Sequence, residues 1–250
     1  MNGMRDILED SALIYRQELE SLFTLMLPGI LLGPVLLIIA ATGLTTGLAL
    51  VPVMLLLYLG TFAACLNWAG YQLTSSPPPL GPMLLVLLRR APDIILSTGP
   101  VTLLLVAVSA CGLVVADQGF AYLALLGAGA AFFTAAHWLS RHTYELPLVV
   151  VYDASARQAA EASAHLDEDA KQWTMRLLLL IGAPVAAVAL LSLWLAWAIA
   201  PLVGTAVFLL ALTLWMPFGS LCLVAACARL LGEGESIQQR LAGTGANSAN

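Results

Sequence analysis

Long stretches of this chain carry no charge. Ser21–Leu88 runs for 68 residues without Asp, Glu, Lys or Arg. Ile94–Ala116 and Gln118–Ser140 do so for 23 residues each, and Leu177–Ala228 for 52. Charged residues make up 10 % of the sequence and hydrophobic ones 60 %. A soluble domain has roughly a quarter of its residues charged, so a large water-soluble core is excluded. The net charge of −5 offers no basic surface for nucleic acid. It also supplies no cluster of about four to eight cations of the kind that binds anionic headgroups, since Arg89–Arg90 is only a pair. Cys65, Cys111, Cys222 and Cys227 form no CxxC, so neither a disulfide framework nor a zinc pattern is present. GxSxG, HExxH and P-loop motifs are also missing. No ionised residue falls in the middle of an apolar run, which weakens any proton- or ion-coupled transport mechanism. The expectation is a chain without a catalytic residue, cofactor or metal ligand, and not an enzyme.

What is present are apolar runs of spanning length. A helix needs about 20 apolar residues to cross a hydrocarbon core of about 30 Å. The two short runs fit one crossing each, and the two long runs fit two each. Six spans follow, at about 22–41, 48–71, 94–116, 120–139, 177–198 and 202–228. The expected fold is all-α and polytopic, with six transmembrane helices in three hairpins within a membrane domain over 1–235. All ten Lys and Arg then fall in alternate connections and the two tails. Basic residues gather on the cytoplasmic side. The chain is therefore expected to be a multi-pass protein of the cell (inner or plasma) membrane with both termini cytoplasmic. Met1–Glu20 is acidic, which argues against a cleaved signal peptide. Residues 236–250 are expected to be a flexible tail.

Between and within these runs several features stand out. Leu8, Ala12, Tyr15, Leu19 and Leu22 follow a helical rhythm, predicting an N-terminal amphipathic helix that lies in the interface, with a solvated tail as the alternative. Gly29 and Gly33 form a GxxxG in the first span, and Ala124, Ala128 and Ala131 form a small-residue face in the fourth; both predict close helix packing. Asn67, Trp68 and Tyr71 suit a membrane–water boundary. Ser75–Pro79 is a breaker, and Pro82–Arg90 reads as a separate short helix on the inner face. Asp93 is placed to cap the third span. Leu148–Tyr152 is a short β-branched run, and Asp153 or Ser155 is expected to start a helix through Leu166.

Few residues offer chemistry. His137, His142, His165 and Glu145 lie near one inner segment, but His137 and His142 are five apart, about 140° around a helix. Glu145 and Asp153 are the one plausible carboxylate pair. Nothing nearby in sequence supplies a nucleophile. Arg89, Arg90, Asp153 and Arg157 are instead candidates for contacting a partner at the inner face.

Two resemblances bear on function. Ala12-Leu13-Ile14-Tyr15-Arg16, then Leu22-Phe23 and Leu27-Pro28, open the chain. Pro147-Leu148-Val149-Val150-Val151-Tyr152-Asp153, then Ala159, Ala160, Ser163 and Trp173, lead into the fifth span. This layout resembles the polytopic membrane domain that occurs alone or fused to glycerophosphodiester phosphodiesterases. The resemblance implies a membrane-associated role and brings no catalytic activity, because the matching residues belong to the membrane part. Residues 154–166 depart from that pattern in being poor in arginine. An amphipathic N-terminal elbow, six spans and an inner helix at Pro82–Arg90 also resemble a permease subunit of an ABC-type exporter. The function expected is an accessory or lipid-associated membrane component, with a permease working beside a separate ATPase as the alternative. Its partners would be the lipid bilayer, a membrane-associated protein or ATPase at the cytoplasmic face, or a second copy in a homodimer.

Overall fold

The computed structural model describes residues 2–40, 42–74, 80–117, 142–166 and 168–231. These residues form helices and no strand: α1 (Asn2–Gln17), α2 (Leu19–Ala40), α3 (Leu44–Thr74), α4 (Leu80–Asp117), α5 (Glu145–Val151), α6 (Ala156–Ala164), α7 (Glu168–Ala198) and α8 (Pro201–Leu231). Four segments are long and apolar enough to cross a membrane: Leu19–Ala40, Thr45–Leu73, Glu168–Ala196 and Leu202–Leu231. They mark the chain as a membrane protein. The apolar run 94–116 lies within α4. The fourth expected span, with Ala124, Ala128 and Ala131, lies outside the described residues, as do Ser75–Pro79, His137, Arg141 and the C-terminal tail.

Helix ends follow local chemistry. Pro201 opens α8, where its missing N–H costs nothing. Glu168 and Asp169 fall in the first turn of α7, where carboxylates meet the positive end of the helix dipole. Ser155 caps α6 through a reciprocal box: its hydroxyl accepts the Gln158 N–H, and the Gln158 side chain accepts the Ser155 N–H.

Packing is closest where side chains are smallest. Gly29 of α2 sits between Thr213 of α8 and Thr61 of α3; a Cβ there would lie 3.0 Å from Thr213 Cγ2. Gly33 faces the Tyr58 hydroxyl, and Gly70 faces Val151, 2.5 Å from where a Cβ would stand. Thr61 and Thr213 turn their hydroxyls back to the carbonyls of Leu57 and Leu209, so neither polar group is left bare in an apolar interface. Between α7 and α8, Gly204 abuts Ala196 and the Ser192 carbonyl, and Trp215 donates its indole N–H to the Ile181 carbonyl at 2.8 Å.

Several expectations are corrected. Pro82–Arg90 is not a separate helix: α4 runs through Pro92 and Pro100 without a break. In an apolar setting the backbone keeps its remaining helical bonds, because no water competes for them. The hydroxyls of Ser97 and Thr98 both donate to the Ile94 carbonyl just ahead of Pro100. Of the expected stripe, Leu22 is buried and Leu8 and Tyr15 pack against the core, but Leu19 is exposed and the most buried positions of α1 are Gly3, Ile7 and Ser11. Small residues win that face because α1 lies against α8: Gly3 leaves room for Arg229, whose guanidinium donates to the Gly3 carbonyl at 3.1 Å, and Tyr15 donates to the Leu214 carbonyl and meets the Phe218 ring edge-on. The run Leu148–Tyr152 falls largely within α5, where Leu148, Val149 and Val150 are buried. Asn67 and Trp68, near the end of α3, are 4 % and 3 % exposed inside the bundle.

Candidate functional site at the basic end

The described cations that pack with other elements share one end of the bundle. Arg229 touches Gly3; Arg229, His165, Asp169 and Trp173 line one cavity; Arg176, Asp169 and Met4 line another. Arg90 reaches α5, and Arg157 belongs to α6, which packs on α4 and α5.

The centre of this end is α5. Leu148 and Val149 are fully buried and Val150 nearly so, held by α3, α4 and α8. Tyr144, also buried, shares a hydrogen bond of 2.8 Å with the Thr174 hydroxyl of α7, and burial raises its phenol pKa. Glu145 is buried at the start of α5 and paired with His142. Burial raises the Glu145 pKa, and the hydrogen bond and charge of His142 pull it partly back.

The chain leaves α5 through Asp153, whose φ of 61° is in the left-handed region. Asp tolerates that conformation better than β-branched neighbours would. The turn sends the Ala154 N–H back to the Leu148 carbonyl at 3.2 Å. It leaves the Val149 carbonyl to be met from outside. Arg90 of α4 meets it, and the same guanidinium pairs with the Asp153 carboxylate. Three residues further along α4, Asp93 accepts the Ala156 N–H at 3.0 Å. A cation thus lies at the carboxyl end of α5 and an anion at the amino end of α6, each matched to the local dipole. One face of α4 clasps the whole α5–α6 turn.

The expected site residues therefore separate. Arg90 and Asp153 come together; Arg157 bonds Glu161 within α6, and Arg89 is exposed. Asp93 was expected to cap its own helix. It caps α6 instead, because that N–H reaches it across the junction. Glu145 and Asp153 lie at opposite ends of α5 and make no carboxylate pair. His142 faces Glu145 while His165 lines the separate cavity with Arg229. Among the described residues no three of His, Cys, Asp and Glu gather as a metal set would. Val149 and Ala156 are the members that sequence reasoning missed. They contribute only main-chain atoms, so no side-chain signal points to them. Comparison with family models, curated proteins and solved structures gives no match to this chain.

Proposed function

We propose that the chain is an accessory, lipid-associated component of the cell inner membrane, without chemistry of its own, that acts by presenting α6 and the clasped turn before it at the cytoplasmic face. The clasp of Arg90 and Asp93 carries this reading. It makes the inner end of α4 a bracket for the protein's own polar segment. A permease half needs that end free to meet an ATPase, so the exporter reading is the weaker one. The resemblance to the membrane domain associated with glycerophosphodiester phosphodiesterases agrees with the first reading, since Pro147–Asp153 is the segment being held.

Six spans in three hairpins, with both termini cytoplasmic, complete the proposal. From Arg90 to Asp117 is about 40 Å of helix at 1.5 Å per residue, enough to cross. His142 is back beside α5 at the basic end. Of the 24 residues between Asp117 and His142, 23 are uncharged, enough apolar sequence for the fourth span of this reading. The basic end would face the cytoplasm. The test is a pull-down of the intact protein from native membranes, comparing wild type with Arg90→Ala. Recovery of a stoichiometric ATPase whose binding is insensitive to Arg90→Ala would sink the accessory reading. A partner other than an ATPase, lost on Arg90→Ala, is the expected result.

A further inference from the structure

Two cavities share a lining residue, Thr24, near the start of α2. The first, of about 470 Å³, is an apolar trough between α2, α3 and α4, walled by Pro28, Leu56, Leu88, Ala91 and Ile95 and floored by Gly60. The second, of about 660 Å³, opens beside Arg16, Gln17 and Glu20. Thr24 thus stands between an opening that holds a cation and an anion and a trough lined by hydrocarbon. Pro28 has no N–H to give the Thr24 carbonyl four residues before it, so a main-chain acceptor remains at the residue common to both cavities.

The charges at the polar end are available. Arg16 and Glu20 are exposed, and among the described residues neither forms an ion pair with the other or with a third group. Glu18 lies between them and accepts from the Ser21 hydroxyl at 3.1 Å, so this end offers one free charge of each sign and no excess of cations, which disfavours a purely anionic headgroup. The matching ligand is a zwitterion on an acyl chain. We propose that this surface binds one glycerophospholipid of the ethanolamine type, with its phosphate at Arg16, its ammonium at Glu20 and one acyl chain along the trough past Gly60. The proposal rests on the membrane placement given above and deepens the lipid association in it. It does not depend on the α4–α5–α6 clasp.

Gly60 supplies the test. A Cβ there meets nothing within 4 Å, so Gly60→Leu adds bulk to the trough without moving α3. The full chain in detergent is titrated with phosphatidylethanolamine, and separately with phosphatidylglycerol of identical chains, and bound lipid is read by native mass spectrometry. Wild type should retain a single phosphatidylethanolamine at a concentration about tenfold below that needed for phosphatidylglycerol. Gly60→Leu should weaken retention of both by about tenfold with an unchanged melting temperature. Leu56→Trp fills the trough from an exposed position and serves if Gly60→Leu does not purify. Arg16→Gln with Glu20→Gln should erase the preference between headgroups while lipid is still held. Equal retention by wild type and both trough variants overturns the proposal, as does a preference for phosphatidylglycerol. Recovery of an ATPase in the pull-down would remove the accessory role and leave this binding untouched.

Discussion

The basic-end half of the bundle and the opposite half are built on different physics. Along α8, Leu221, Cys222, Val224, Ala226 and Cys227 are buried, whereas Leu202, Val203 and Leu210 are exposed. Along α3, 63–70 are buried throughout, whereas Val53 and Leu56 are exposed. Leu190, Leu191 and Trp194 of α7 and Leu31, Leu32 and Val35 of α2 are exposed as well. The basic end is a protein core, with α5 at its centre and side chains capping its turns. The opposite half relies on lipid to cover its apolar side chains. Lipid tails are as apolar as leucine, so burying a side chain there against another helix gains little beyond packing. Mutations should therefore be felt unequally.

The sharpest contrast is Leu148 against Leu190. Leu148→Ala leaves a cavity in a fully buried site and should cost about 2–5 kcal/mol. Leu190 is 70 % exposed, and its replacement by Ala should leave thermal unfolding in detergent almost unchanged. Equal effects would erase the distinction between halves. Next comes Gly29→Leu, which forces side-chain atoms into Thr213 and should destabilise by about 1–3 kcal/mol. Unchanged stability there would mean that α2 can slide away from α8. Arg90→Ala strands the Val149 carbonyl and removes the Asp153 partner, a loss of about 1–3 kcal/mol. Arg89→Ala, one residue away and exposed, is the control and should do nothing measurable.

The smallest effect is in pH. Burial raises the Glu145 carboxyl above its ordinary 4.5, so the native chain holds that proton to higher pH than the unfolded chain does. The unfolded state then binds fewer protons across this window, and stability falls as pH rises. The contribution is full below 4.5 and is lost as pH climbs through the raised native value. Glu145→Gln should flatten this slope. A slope identical to wild type would assign the pH dependence to other groups.

Much of the scaffold was legible because spanning helices are specified locally. Charge-free windows and the helix start at Ser155 each act within a few residues of themselves. The packing face of α2 was legible too, since glycines four apart always share a side. The face of α1 was partly legible: Leu8 and Tyr15 pack inward as their rhythm implies, whereas the contact of Gly3 with Arg229, 226 residues away, leaves no mark in the sequence. The continuous α4 was missed because proline ends helices in water more reliably than in hydrocarbon. The clasp was only half legible: Arg90 and Asp153 stood out as charges, whereas Asp93 suggested a cap on the wrong helix.

The sequence by itself determined which solvent surrounds the long apolar helices. That depends on the composition of windows about 20 residues long, and composition needs no partner. Only the tertiary structure decided that α4 holds α5 and α6. Arg90 meets a carbonyl 59 residues onward and Asp93 an amide 63 onward, and main-chain groups carry no mark in the sequence. Their need for a partner is general, and only the folded geometry says which charge satisfies them.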